Sequence, residues 1–581
     1  MAESITASLL DVLAEAGARN VFGIVGDAIN PFVDGVIADQ RFRWFTVRHE
    51  ENAAYAASAE AQLTGGIGVC AGTSGPGALH LINGLYNAKA EGAGVVAVTG
   101  QVPMAQRGSN FHKEMDLKKV FDDVCAYQAI IDSPEKMPRM VETAVQMALT
   151  DHVVTRIEIP ANIIGQDIAS EHYRRPLVHS RSVAVPDKAL LEQAAEAINK
   201  GKRVALFCGV GCRGAHEQVL ALARKAQAPI AHTFRAKDVL DYRDGPVVGL
   251  TGNIGNPSGF HAVMDCDVLV MLGTDFPYDE FLPDGRPIIQ VDYRAEHIGR
   301  RAPVTVGLVG DVKATLEALL PLIEDGQSGE FRDHLLGMRD KWLERMSDQA
   351  SLSRKDEPIH PQLFARAISD QAAVDALFAV DVGECSVWVA RQMSMAGRRR
   401  MVGGFNHGAI GAGLPAALGA AAVADGRQVW ALCGDGGFGM SMNDFITAAR
   451  YGWPIKVIVF NNSEFGFVKM EMEVSGLAHD FDATGLVNPD FAAFAKACGG
   501  DGVRVEHVDD ILPAIKQAIQ SDKPFIIDAV VSPGELVMPP EVKIDEAWGF
   551  AMSKVKEGLL GLKGDHDVWK EWRNEFKAKF F

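Results

Sequence analysis

Three doubly wound α/β domains with parallel sheets, followed by a C-terminal tail, are predicted from three observations. The chain has 581 residues, which at ~150 per domain allows three or four separate cores. Each third repeats one grammar: a short Val- and Ile-rich run, a Gly-rich turn, then a helix-length segment. The runs are continuously apolar rather than alternating, as in strands covered on both faces.

The elements follow in order. Ile5, Leu9, Val12 and Leu13 fall at helical spacing and predict a first core helix; Glu3, Asp11 and Glu15 beside them exclude a signal peptide. NVFGIVG, GIGVCAG and GVVAVTG are the strands of the first third. RVALFCGVG, VLVMLGT and PIIQVD repeat the pattern in the middle, and ALFAVDVG, QVWALCGDG and IKVIVFNN in the last third. The polar stretches Glu171–Asp187 and Glu324–Pro358 read as linkers. The expected domains are therefore 1–180, 181–340 and 355–531, with a tail over 532–581. The charge-free stretch Gly408–Ala424 is Gly-rich, contains Pro415 and is shorter than the ~20 residues of a membrane span. It reads as a buried helix after a loop.

Composition narrows the function. With 57 Lys+Arg against 75 Asp+Glu the formal charge is −18, which argues against nucleic-acid binding through a basic face. Glycine is frequent, 58 residues against an ordinary share of ~7%, without the period of a fibrous protein. Eight Cys include a C-x3-C at Cys208 and Cys212 but no C-x2-C pair for a zinc ribbon, so they read as reduced core residues of a cytoplasmic protein.

The chemistry concentrates in residues 428–470. The strand QVWALC ends in Gly434-Asp435-Gly436-Gly437, a helix-length stretch follows, and the strand IKVIVF ends in Asn461-Asn462. One β-α-β crossover brings Asp435 and Asn462 to the same end of neighbouring strands. A carboxylate and an amide oxygen there form a hard, oxygen-only site suited to Mg2+, and flanking glycines let backbone N–H groups approach phosphates. A surface turn and a helix cap would account for either motif alone. In the first third, Val47-Arg48-His49-Glu50-Glu51-Asn52 reads as a helix start with acidic residues at the positive dipole end, or as a site carboxylate.

The pairing of Gly434-Asp435-Gly436 with Asn462 resembles the metal–diphosphate motif of thiamine diphosphate enzymes, and the resemblance extends over nearly the whole chain. It implies that Asp435, Asn462 and the main chain of Glu464 hold the metal. It also implies that Gly408, Ala409 and Ile410 grip the aminopyrimidine, with Ile410 as the wedge that bends the cofactor. Glu50 takes the place of the glutamate bonded to N1′ of that ring, where it favours the imino tautomer needed to activate the thiazolium. Gly26 and Gly75 fall on further cofactor-binding turns. Because such glutamates reach a metal site across a subunit boundary, a homodimer or homotetramer is expected.

The middle third resembles the FAD-binding segments of pyruvate oxidases and acetolactate synthases. After the GxGxxG string Gly209–Gly214 come Arg235, Thr251-Gly252-Asn253-Ile254, Thr274-Asp275-Phe276-Pro277-Tyr278 and Asp292. Arg235 is expected to face the diphosphate as a donor fork, and Asp292 to reach a ribose hydroxyl or nearby FAD group. A vestigial, flavin-free middle domain is the alternative.

Phe465-Gly466-Phe467-Val468-Lys469-Met470-Glu471-Met472 is close to the pyruvate oxidase pattern, with Val468 and Glu471 as catalytic candidates. His112-Lys113 stand where both FAD families usually carry Phe-Gln, and add candidates beside the substrate. In the tail, Trp569, Trp572, Phe576 and Phe580 recur at helical spacing among Lys570, Arg573, Lys577 and Lys579. Such a helix lies on an anionic membrane surface or docks on the protein itself. The expected reaction is oxidative decarboxylation of a 2-keto acid, pyruvate to acetate and CO2, with electrons passing through FAD to quinone. An acetolactate synthase-like carboligase with non-redox FAD is the alternative.

Overall fold

A computed structural model describes residues 3–168, 175–180, 182–240, 245–326, 328–355, 357–477, 481–533 and 535. The aromatic and basic tail motif lies outside them. Three six-stranded sheets carry the fold, and every strand pair in them is parallel. Across the first sheet the strands run Arg43–Thr46, Asn20–Gly23, Ile67–Gly72, Gly94–Gln101, Val154–Pro160, Tyr127–Ile130. Across the last they run Arg400–Gly403, Leu377–Val380, Val429–Gly434, Lys456–Asn461, Phe525–Val530, Asp501–Val505. Counted along the chain, both outer sheets have the order 2-1-3-4-6-5.

The middle sheet differs. Its order is Val247–Leu250, Ile230–His232, Val204–Cys208, Val268–Leu272, Ile288–Asp292, Val306–Val309, which is 3-2-1-4-5-6. The middle sheet reverses its strand order once, between its first and fourth strands; each outer sheet reverses between its first and third strands and again at the 6-5 edge. The inner reversal of each sheet opens a crevice at the carboxyl ends, where ligands bind. Those crevices lie beyond Gly23 and Gly72, beyond Cys208 and Leu272, and beyond Val380 and Gly434.

Nine of the eighteen strands in these sheets form where the apolar runs predict them, because both faces are covered: Val95, Val96, Ala97 and Val98 are all fully buried. No predicted run marks the other nine, among them the half-exposed edge strands Arg43–Thr46, Tyr127–Ile130 and Asp501–Val505. The first helix spans Ile5–Glu15, capped by Ser4, and buries Ile5, Leu9, Val12 and Leu13 as expected. Seven of the eight cysteines are buried and all are free. No helix among the described residues is long and apolar enough to cross a membrane.

One expectation fails. The stretch 324–358, read as a linker, contains the 20-residue helix Glu330–Gln349. Only Leu335 and Met346 of that helix are buried, so no apolar stripe marks it in the sequence.

The two outer domains of the chain pack on each other. Helix Glu50–Thr64 starts after His49, whose ring accepts from the Glu51 N–H, and ends at Gly65 with φ +70°. Its Ala53, Ala54, Ala56, Ala57, Ala59 and Ala61 are buried in one core with Leu414, Ala416, Ala417, Leu418 and Ala420 of helix Gly413–Ala422. A Cβ at Gly419 would lie 2.1 Å from the Ala56 carbonyl oxygen, so the helices meet backbone to backbone. The middle domain keeps its own core around Leu206, Val270 and Ile289.

Candidate active site

At the C-terminal crevice, strand Val429–Gly434 passes directly into helix Asp435–Ser441, and strand Lys456–Asn461 ends one residue before Asn462. Asp435 is 2% exposed. Its carboxylate accepts from the N–H groups of Gly436 (2.9 Å) and Ser463 (2.7 Å) and from the Asn488 amide (2.7 Å). Asn462 Nδ2 donates to Glu384 Oε2 at 3.1 Å, while its Oδ1 accepts from the Glu464 N–H at 3.1 Å. Glu464 is buried against Lys469 Nζ at 3.1 Å.

Negative charge exceeds positive in this cluster. Burial pushes the Asp435 carboxyl up to about 6, and burial with the nearby Glu464 charge pushes Glu384 up to about 8. Among the described residues no group of three His, Cys, Asp or Glu side chains is placed to hold a metal unaided. One carboxylate, one amide oxygen and a main-chain oxygen in surplus negative charge are instead a donor set for Mg2+ that is shared with a phosphate-bearing ligand. The residues fit that cation.

The glycines of this crevice have a second cause besides phosphate approach. A Cβ on Gly436 would sit 2.4 Å from the Phe465 ring, one on Gly437 2.4 Å from Asp381 Oδ2, and one on Gly466 2.5 Å from the Glu384 carboxylate. Asp381, 1% exposed, follows strand Leu377–Val380 and accepts from the N–H groups of Val382 (2.8 Å) and Gly411 (2.9 Å). It thereby fixes the far end of the Gly408–Ile410 loop, in which Gly408 has φ +74° and Ile410 is half-buried. Asp381, Glu384 and Asn488 are absent from the residues singled out by sequence. The signal for two of them was present, since Asp381-Val382-Gly383-Glu384 closes a predicted strand.

At the N-terminal crevice, Glu50 is 6% exposed at the first position of its helix, with Oε2 2.9 Å from His80 Nδ1. A Cβ on Gly77 would approach Glu50 Oε1 to 3.0 Å, and one on Gly26 would strike Thr73 at 2.5 Å, so these turns form one wall. Gly75, at φ +64°, lies against Lys113, itself at φ +66°, whose Nζ reaches Asp27 Oδ1 at 3.0 Å. His112 is exposed, as are Val468 (49%) and Glu471. Among the described residues no hydrogen bond or ion pair joins Glu50 to Asp435 or Asn462.

The middle crevice gathers every candidate flavin segment at one edge. Arg235, Thr251–Ile254, Thr274–Tyr278 and Asp292 all lie at or beyond the carboxyl ends of their strands. Thr251 Oγ1 is buried there without a partner, which fits a polar ligand atom, and Gly252 adopts φ +100°. Gly209 and Gly211 of the GxGxxG string serve packing, since a Cβ on either would strike Gly273 at 2.2 and 2.7 Å. Asp275 pairs with Arg300 at 2.9 Å, Asp292 accepts from the Arg294 N–H, Phe276 is buried and Tyr278 is 44% exposed. Arg235 is engaged within the chain: its Nε lies 2.8 Å from the Glu91 carboxylate and its Nη2 donates to the Glu91 carbonyl.

Comparison with known proteins agrees with the three-sheet fold. The N-terminal thiamine pyrophosphate binding domain matches residues 4–120, the central domain residues 191–319 and the C-terminal binding domain residues 381–529. The chain belongs to the thiamine pyrophosphate enzyme family. Its relatives in that family include Bacillus subtilis YdaP, described as a thiamine pyrophosphate-containing protein, 36% identical over 94% of this chain and 95% of the relative. Pyruvate oxidase of Lactiplantibacillus plantarum is 28% identical over 94% and 91%, and the acetolactate synthase large subunit of Corynebacterium glutamicum 30% over 91% and 86%. Thiamine-diphosphate-dependent decarboxylation of 2-keto acids is the chemistry of this enzyme family, and thiamine diphosphate binding follows from the two binding domains.

Proposed function

We propose that this enzyme decarboxylates pyruvate oxidatively, with water, to acetate and CO2, passing the two electrons through FAD to a quinone that also takes up two protons, with domains at 1–180, 181–340 and 355–531. The observation that carries the reading is the crevice of Asp435, Asn462 and Glu464, whose donor set suits a metal-bound diphosphate, beside a middle crevice that gathers every flavin segment. Thiamine diphosphate, when bound, would supply the nucleophilic carbon and the electron sink that decarboxylation needs.

The chain's own part is positional and protonic. Asp435, Asn462 and the Glu464 main chain would hold Mg2+ and the diphosphate; Gly408, Ala409 and Ile410 would seat the pyrimidine. Glu50, nearly desolvated and oriented by His80, would hold a proton at N1′ of that ring. In this reading, as the resemblance implies, a second copy of the chain completes the site. His112, Lys113, Val468 and Glu471 would line the substrate side, and Gly26 and Gly75 the turns beneath it.

Anaerobic mixing with pyruvate tests the reading. Bleaching of the flavin absorbance with stoichiometric acetate is expected. The acetolactate synthase-like carboligase, favoured by 30% identity to the Corynebacterium enzyme, gives acetolactate and an unbleached flavin instead.

A further inference from the structure

Glu91 stands where a carboxylate is disfavoured twice over. It is the last residue of helix Ile82–Glu91, at the negative end of the helix dipole, and its side chain is 1% exposed. Two other domains of the chain converge on it. From the C-terminal domain, the Asn406 N–H donates to Oε1 at 2.7 Å, and the Asn406 amide donates to the neighbouring Ala90 carbonyl at 3.1 Å. From the middle domain, Arg235 grips both its carboxylate and its carbonyl at 2.8 Å. Alongside, His407 Nε2 lies 2.7 Å from Asn83 Oδ1, and Phe234 meets Phe405 edge to face at 4.8 Å.

The consequence concerns the next residues. Asn406 and His407 lead directly into Gly408-Ala409-Ile410, and Asp381 holds the loop only beyond them, at Gly411. The near end of that loop is therefore held through the Glu91 side chain, and the cation that pairs with it comes from the domain of the flavin segments. We propose that Glu91 is a positioning residue that fixes the Gly408–Ile410 loop for the pyrimidine, and that Arg235 keeps its carboxylate available for that task. The inference rests on the reading of 408–410 as the pyrimidine grip.

A double-mutant cycle tests it, read as the dissociation constant of thiamine diphosphate with Mg2+, followed by tryptophan fluorescence of the full chain without substrate. Glu91→Ala and Arg235→Met are each expected to weaken binding on the order of tenfold, and the double variant no more than the worse single. Binding within twofold of the parent for either single variant, or multiplicative losses in the double, would overturn the proposal. If a truncation does not fold by far-ultraviolet circular dichroism, Glu91→Gln and Arg235→Lys form the cycle under the same criteria. Asp435→Asn is the control for the underlying reading: unchanged affinity there rejects the assigned cofactor site itself, whereas the cycle rejects only the linkage.

Discussion

Glu50 occupies a position where two demands agree. A carboxylate at the first helical residue is favoured by the helix dipole, and burial against Gly77 with His80 at 2.9 Å keeps it directed. Glu50→Gln removes the proton-holding group while keeping the shape, so turnover is expected to fall at least 100-fold with thiamine diphosphate affinity little changed; steady-state rates and binding titrations check this. Buried Asp381 and Glu60, pushed up to about 7 and about 8, share the pH dependence with Asp435 and Glu384, at about 6 and about 8. All four lie above the ordinary carboxylate range, so the folded chain holds these protons longer than the unfolded one. The stabilisation is present at low pH and is lost as pH rises through those values. Calorimetry of the cofactor-free protein is expected to show a melting temperature that falls from pH 5 to pH 8, and a restoring effect of Mg2+ with thiamine diphosphate that is larger at pH 8. Asp435→Asn is expected to flatten the decline below about pH 6. Asp435 and Asn462 were legible because each directly follows a recognisable strand. His80 and Asn488 were not, since their partners Glu50 and Asp435 lie 30 and 53 residues away in the chain.

Elements were legible where burial is two-sided and illegible where it is thin. The central parallel strands announce themselves as unbroken apolar runs, and the alanine-rich helix Gly413–Ala422 as a charge-free stretch, whereas edge strands such as Arg43–Thr46 and Asp501–Val505 carry charges and do not. Helix Glu330–Gln349 gives almost no pattern because two buried residues anchor it. The seam between Glu50–Thr64 and Gly413–Ala422 is the element most sensitive to size. Gly419→Val would set a branched side chain against the Ala56 carbonyl, 2.1 Å from where its Cβ would lie. A loss of at least about 3 kcal/mol is expected, toward the severe end for overpacking, measurable by denaturant unfolding. Gly92, a helix-ending glycine with nothing within 4 Å of an added Cβ, has φ +65°. Its replacement by Ala is expected to cost only about 1 kcal/mol, and the contrast separates packing from backbone strain.

At the scale of the molecule, the strand orders show what the linear reading could not: the outer sheets share one topology and the middle one has another, although all three have the same local grammar. Long-range order depends on which helix crosses which face, and the short motifs do not encode that. The tail is tested by deletion. Removing residues 560–581 is expected to leave reduction of a soluble dye unchanged and to lower lipid-stimulated quinone reduction; equal quinone rates would remove the membrane role. The common core of the outer domains has a consequence of its own. The first and last portions of the polypeptide cannot mature separately during synthesis, because the early one keeps the alanine-lined face of Glu50–Thr64 uncovered until the helix Gly413–Ala422 arrives, about 350 residues later (413 − 64 = 349). Nascent chains stalled before residue 413 should therefore be the species that chaperones bind, while the central portion, complete by then, already resists protease.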